Sequence, residues 1–515
     1  MAPISHGSVL LLADVEPAIT TFHAGSVPTV ERCYPALSKF GYLFDNLQCD
    51  PKQNLLLEHP QTAQNLIDLG YTMIESSAAP PAPNSEIPSA YTYFAQFVDH
   101  DITLEAVSKD IPLDNHLTPM ELIDVQRTIK NARTAALDLD TVYEPAFREG
   151  AFHPIPRDST NPNKLQIDRA STSPTSIHNP PGTDSNDSDL PRVITPNDPE
   201  YGVAQIGDSR NDQNLMISQM HLAFLRAHNA LIDQGKSFDE AAKLLRQHYQ
   251  WIVIHDFLPR IVDRSLVTDV LSGAIGIYDP PDRAFFLPLE FTVAAYRFGH
   301  SMIRSAYHYN ALNENNLEAN LFALFRPQVL PPRYHHISES WIIQWDRFVD
   351  GGTNKARSID TQLANSLSGL ADNEGRPLNF QTRLAIRDLL RGYLLRIPTG
   401  QAVARALKLP MMHCAELEAV AQSANPDQKA LLKESGMSCR TPLWFYVLAE
   451  ASHYNSGKKL GPVGGAIVAS VLIGLVRRSK DSILRYKNWS PTLGRVNGQF
   501  DLSDLFSLAK VLPCS

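Results

Sequence analysis

Cysteine is scarce in this 515-residue chain, and the five present, Cys33, Cys49, Cys414, Cys439 and Cys514, include no CxxC pair. An odd number without metal-ligand spacing argues against a zinc site and against a disulfide framework, so reduced thiols are expected. Charge is also sparse, and basic residues are the minority: 46 Lys and Arg against 55 Asp and Glu give a net charge of -9. A surface of that sign does not attract a polyanion, so nucleic acid is not an expected partner. The most apolar segment, residues 463–476, is broken by Gly464, Gly465 and Gly474 and ended by Arg477 and Arg478. It falls short of the ~20 residues that cross a bilayer and reads as a buried helix, with no transmembrane segment expected. The first residues offer no basic stretch ahead of an apolar core, so the expectation is a cytoplasmic protein without an export signal. Asn186-Asp187-Ser188 and Asn488-Trp489-Ser490 have sequon form, which carries meaning only in a secreted chain. Walker sequences, dinucleotide fingerprints, nucleophile elbows and internal repeats are all missing.

What is present is helical patterning. Apolar residues recur at three- and four-residue spacing over residues 61–73, 218–235, 238–258, 379–395 and 443–450, predicting a mainly α chain. Strand signals are few and short, such as Phe285-Phe286-Leu287 after the Pro280-Pro281 turn. The first ninety residues carry several prolines and no chemical motif, and read as a wrapping arm (1–90) on one large domain (91–515). Residues 155–200 are rich in Pro, Ser, Thr, Asn and Asp and cannot form a long amphipathic element, which leaves either a disordered surface loop or a flap over a site.

The chemistry concentrates in Gln96-Phe97-Val98-Asp99-His100-Asp101, where a histidine sits between two carboxylates with a glutamine one helical turn upstream. Three further runs follow in order: Gly207-Asp208-Ser209-Arg210-Asn211-Asp212-Gln213-Asn214, Tyr296-Arg297-Phe298-Gly299-His300-Ser301, and Asp388-Leu389-Leu390-Arg391-Gly392. Together with Pro288-Leu289-Glu290-Phe291, Pro442-Leu443-Trp444-Phe445-Tyr446 and Leu460-Gly461-Pro462-Val463-Gly464-Gly465, this order resembles the animal-type haem peroxidase superfamily, its shorter microbial members above all. The resemblance runs from about Tyr91 to Trp489. It implies a single large helical haem peroxidase domain with few short strands, because motifs spread from Gln96 to Arg391 must meet at one site.

The resemblance implies a role for each matching residue. His100 would be the distal base that moves the proton between the two peroxide oxygens, and Arg210 the fixed cation beside the departing oxygen. Gln96 would hydrogen-bond water or halide above the iron. His300 would be the proximal ligand to the haem iron, oriented by Asp388, where the family pattern has Asn. Arg297 and Arg391 match positions that hold the haem propionates. Asp99 matches a carboxylate that esterifies a haem methyl, while Gln213 stands where the family usually has the second, ester-forming Glu, and Asn214 offers no thioether. Haem b with at most one ester link, through Asp99, is therefore expected. Asp101 with Thr134, Ala136, Asp138 and Asp140, whose even positions would alternate in direction, matches a calcium loop, and hard oxygens suit that ion.

The function so implied is a hydrogen peroxide-dependent peroxidase that oxidises small electron-rich donors or halide. Two alternatives stand beside it. One is a fatty-acid dioxygenase of the cyclooxygenase-like branch, whose members carry a tyrosine three residues before the proximal histidine; here that position is Arg297. The other is a weakly active haem-binding pseudo-peroxidase, suggested by the departures at Gln213 and Asp388.

Overall fold

The computed structural model describes residues 10–25, 37–75, 84–148, 150–171, 180, 182–195, 197–198, 200–280, 285–313, 319–320, 336–368 and 383–512. Helices dominate. Those that position the site are α1 (Thr62–Thr72), α2 (Ala90–Ile102), α3 (Leu215–Asp233), α4 (Phe238–Trp251), α5 (Leu384–Leu394), α6 (Leu443–Asn455) and α7 (Pro462–Arg478). In the core α2 packs on α3, α3 on α4, α1 on α5, α5 on α6 and α6 on α7.

Each helix has a local cause. Asn214 caps α3 by accepting from Ile217 N at 3.0 Å, and Ser237 and Glu240 form a reciprocal capping box on α4. The helix expected over 238–258 holds its α-form to Trp251, widens to a π-turn over Ile252–Phe257 and closes as Leu258–Ile261. Pro259, which has no N–H to donate, lies just past the widened stretch. Helix α7 begins with Pro462 and lacks a side-chain cap of its own. Glu450 of α6 supplies it, accepting from Val463 N and Gly464 N at 3.0 and 3.1 Å. Residues 463–476 thus lie in a buried helix, and among the described residues no helix is long and apolar enough to cross a membrane.

Strands are short. β1 (Leu10–Leu11), β2 (Ser38–Gly41), β3 (Glu105–Val107), β4 (Ile129–Asn131) and β5 (Leu287–Pro288) form one sheet in the order β1-β3-β4-β2-β5. Ala106 pairs with Lys130 antiparallel, and Phe40 with Leu287 parallel. The strand expected at 285–287 is displaced to Leu287–Pro288; Phe286 instead lays its ring beside Gly41, where a Cβ would come within 2.8 Å of it. Within the first ninety residues, β1, β2 and α1 are built into this sheet and core.

The polar segment 155–200 forms no helix, yet its described residues are pinned. Backbone bridges join Arg157 to Leu165, Asp168 to Asp189 and Arg192 to Ala204. The buried Arg192 guanidinium forks onto Asp189 and onto Asp212, with Nη1 2.6 Å from the latter. The thiol expectation fails at one pair: Cys414 and Cys439 are joined in a disulfide, their Cα atoms 4.8 Å apart. Two helices, Cys414–Ala424 and Pro426–Glu434, fold back on each other between them, and that hairpin, invisible in the spacing, brings the sulfurs together. Cys49 is free and exposed, while Cys33 and Cys514 lie outside the described residues.

Candidate active site

Helix α2 is buried on almost every side, and Phe97 stacks on Phe224 of α3 with ring centroids 4.3 Å apart. That packing fixes the helix, and Asn131 of β4 fixes its end, accepting from Leu104 N at 2.7 Å and donating to Ile102 O at 2.8 Å. Gln96 and His100, four residues apart, share one face; His100 is fully buried, Gln96 half-buried. His100 Nδ1 lies 2.7 Å from Asn211 Oδ1. An amide oxygen only accepts, so Nδ1 carries the proton and Nε2 the lone pair. Burial, with the Arg210 charge, lowers the His100 pKa to about 3, so the ring is a neutral base.

The chain reaches His100 from residues 207–212. Gly207 passes so close to the 140–144 backbone that a Cβ would meet Thr141 O at 2.5 Å. Asp208 then caps a short 3₁₀ turn, Ser209–Asp212, through Arg210 N at 2.9 Å. Arg210 does not present an unopposed cation. Its Nε and Nη2 donate to Asp208, the latter at 2.7 Å, and Nη2 also donates to the carbonyls of His100 and Thr103. Arg133 binds the same carboxylate at 2.6 Å and Glu144 at 3.5 Å. Against its burial, these two guanidinium groups hold Asp208 well below the usual carboxylate range. Arg210 thus grips the end of α2 while its charge is paired with Asp208.

The proximal side is a 3₁₀ stretch, Ala295–Met302, packed on α6. Trp444 of α6 donates to Arg297 O at 3.1 Å. His300 Nδ1 lies 2.6 Å from Asp388 Oδ2, and Arg297 Nη1 lies 2.5 Å from Asp388 Oδ1. Although burial opposes it, His300 and Arg297 keep Asp388 below the ordinary carboxylate pKa. Arg297 is therefore ion-paired to the carboxylate that also holds His300. Arg391 pairs with Glu105 and lines a cavity of about 180 Å³ with Val107, Met120 and Ile129. Burial raises the pKa of Asp99, offset by Arg210, Arg297 and His300, which sets Asp99 between the distal and proximal elements. Gln213 Oε1 is buried with no hydrogen-bond partner among the described residues.

The acidic loop does not alternate as a strand would, because Ala135 and Leu139 adopt positive φ of 52° and 58°. Asp140 Oδ2 accepts from Thr134 Oγ1 at 2.6 Å, Asp101 accepts from Leu139 N and Thr141 N at 3.2 Å, and Asp138 accepts from Ser479 Oγ. Ala136 sits in the same buried loop. Burial and the neighbouring carboxylate of Asp138 push Asp140 up to about 6. Among the described residues no three or more His, Cys, Asp or Glu side chains are grouped so as to hold a metal ion.

The animal haem peroxidase profile matches residues 114–392, more than half of the chain. The chain belongs to this family. Relatives include a peroxidase-like protein of Margaritifera margaritifera, 28% identical over 20% of this chain and 15% of its own length, and the chorion peroxidase of Aedes aegypti, 30% identical over the same shares. The chain thus spans about a seventh of those relatives in alignment. Peroxidase A from Dictyostelium discoideum has the same fold, with a TM-score of 0.59 at 15% identity over 94% of this chain and 95% of that one. A fatty acid alpha-dioxygenase of Arabidopsis thaliana also shares it, at TM-score 0.55 and 12% identity over 82% and 71%.

The family implies haem, and the residues here fit one. His300 is tied by Nδ1 to the Asp388 carboxylate, the kind of contact that orients an imidazole for binding a metal through its other nitrogen. Gly299 and Gly392, beside His300 and Arg391, have no atom within 4 Å of where a Cβ would sit. Nothing in the sequence alone marks Asn211, His221, Asp208 or Arg133 for a role. Asn211 and Asp208 lie inside a quoted motif, but a contact to a side chain on another element leaves no mark in spacing.

Proposed function

We propose that the protein is a hydrogen peroxide-dependent peroxidase acting on small electron-rich donors or halide. One observation carries this: two imidazoles, His100 and His300, each have Nδ1 committed to an oxygen acceptor, Asn211 and Asp388, at 2.7 and 2.6 Å. With Nδ1 as the donor, the neutral form of each ring has its lone pair on Nε2, one suited to take a proton and the other to bind iron.

Haem, when bound, supplies the redox-active iron at which the peroxide bond is broken. His300 Nε2 would hold that iron, and the Asp388 carboxylate would draw on the Nδ1 proton and make the ring a stronger donor. His100 Nε2 takes the proton from one peroxide oxygen and returns it to the other. Arg210 holds α2 so that this nitrogen stays in place, and Gln96 on the same face orients water or halide. Asp99 offers the carboxylate for one ester; Gln213 offers only an amide.

We also assign calcium to Asp101, Thr134, the Ala136 carbonyl, Asp138 and Asp140, which supply hard oxygens. The buried Asp140 Oδ1 has no hydrogen-bond partner among the described residues, and mutual repulsion of these carboxylates would be relieved by a cation. Elemental analysis should find one calcium per chain, and a fully stable, fully active metal-free protein would refute the assignment.

The dioxygenase reading gains nothing from position 297, where an ion-paired arginine stands in place of a phenol. The deciding experiment is an optical spectrum of the haem-loaded chain before and after one equivalent of peroxide. A rapid, donor-reversible change supports the peroxidase, and an unchanged spectrum points to the pseudo-peroxidase.

A further inference from the structure

The contact that orients His100 does not stop at Asn211. Asn211 Nδ2 lies 3.0 Å from Nδ1 of His221 on α3. All three side chains are fully buried, and His221 sits against Phe97 of α2, ring centroids 6.0 Å apart. His100 Nδ1 faces the amide oxygen and donates, His221 Nδ1 faces the amide nitrogen and accepts, and in its neutral form each ring carries a single N–H.

Two neutral rings bridged by one amide can satisfy both contacts in only two ways. With Oδ1 towards His100, that ring is protonated on Nδ1 and its Nε2 accepts, while His221 receives Nδ2–H on Nδ1 and carries its own proton on Nε2. With the amide reversed, His100 accepts at Nδ1 and is protonated on Nε2, and His221 takes the opposite tautomer. Only the first arrangement leaves His100 able to take a proton at Nε2, so the rotamer of one amide decides whether the base is armed.

We propose that Asn211, held by His221, is a positioning residue for the distal base: the His221–Asn211–His100 chain selects the Nδ1–H tautomer of His100. The proposal deepens the peroxidase reading but is tested apart from it. Neither residue would touch peroxide or haem. With Oδ1 towards His100 and Nδ2 towards His221, as the structure has them, the amide couples the Nδ1–H tautomer of His100 to the Nε2–H tautomer of His221.

The test is the tautomer itself. The full chain, labelled with 15N-histidine and loaded with diamagnetic zinc protoporphyrin, gives long-range 15N–1H correlations that distinguish Nδ1–H from Nε2–H; the signals are assigned with His100→Gln and His221→Gln. The native chain should show Nδ1–H at His100 and Nε2–H at His221. Asn211→Asp, which only accepts, should keep Nδ1–H at His100 and switch His221 to Nδ1–H. Asn211→Leu should let His100 populate both tautomers, and His221→Phe should do the same to a lesser degree. With iron protoporphyrin, the rate of reaction with peroxide should fall about tenfold or more in Asn211→Leu and recover in Asn211→Asp, with haem affinity unchanged in both. A His100 protonated on Nε2 in the native chain, or a His100 tautomer indifferent to Asn211→Leu, overturns the proposal. Correct tautomers in a chain inert to peroxide would instead sink the peroxidase reading and leave the tautomer chain standing.

Discussion

Asp388 divides one carboxylate between two partners, Oδ2 to His300 Nδ1 at 2.6 Å and Oδ1 to Arg297 Nη1 at 2.5 Å. An ionised acceptor pulls harder on the imidazole proton than an amide would, and the arginine restrains but does not cancel that pull. Asp388→Asn should therefore raise the ferric/ferrous potential of bound haem. If the ionised acceptor favours the ferric state by about 1 kcal/mol, the rise is on the order of 40–50 mV for one electron. Spectroelectrochemical titration measures it, and an unchanged potential would remove Asp388 from the ligand's surroundings.

Stability should respond to pH in opposite directions at two buried groups. The pKa of His221 is lowered to about 3 from an unfolded value near 6.5. Its contribution is complete above pH 6.5 and is lost as pH falls towards 3, at about 1.4 kcal/mol per pH unit. Burial raises Glu450 to about 7 despite its N–H partners, so its contribution is complete below about pH 4.5 and is lost as pH rises through 7. Urea unfolding against pH should lose the acid-side slope in His221→Gln and the neutral-side slope in Glu450→Gln. Curves parallel to the native one would contradict both.

The Cys414–Cys439 bridge closes a loop with a sequence separation of 25, and a loop of that size stabilises by about 3 kcal/mol in the chain-entropy view. Cys414→Ser should lower the unfolding midpoint accordingly, and native mass spectrometry should show two hydrogens fewer than the reduced chain. A fully thiol-reactive native protein would restore the original expectation.

Haem attachment tests the distal assignment from another side. After peroxide turnover, denaturing mass spectrometry should find at most one link, absent in Asp99→Ala. Gln213→Glu places a carboxylate where the amide now stands and should permit a second. A double link in the unaltered chain would show that Asp99 and Gln213 are misassigned.

Much of the architecture was legible because it rests on local patterning. The periodicity at 61–73 became α1, and the glycine-broken apolar run became α7. His100, Arg210, His300 and Asp388 were recognisable from four ordered motifs. What escaped depends on who meets whom after folding. No spacing rule ties Asn211 to His221 on the next helix, announces that Asp208 neutralises Arg210, or signals that a helical hairpin will join two cysteines. At 285–287 the two aromatic residues are drawn elsewhere, Phe286 beside Gly41 and Phe285 under the Arg478 guanidinium, and only Leu287–Pro288 pairs as a strand.

If the chain meets peroxide, as the proposed function requires, the helical hairpin's sulfur bridge limits which of its sulfurs can be oxidised. Sulfurs already joined have no thiolate to offer, so Cys414 and Cys439 stand off the ladder from sulfenic to sulfonic acid. Among the described residues, self-inflicted thiol damage then has one open target, the exposed Cys49. It ends a 3₁₀ turn, Asp45–Cys49, remote in sequence from the histidine motifs. Mass gained at that sulfur would record how much peroxide the protein has met.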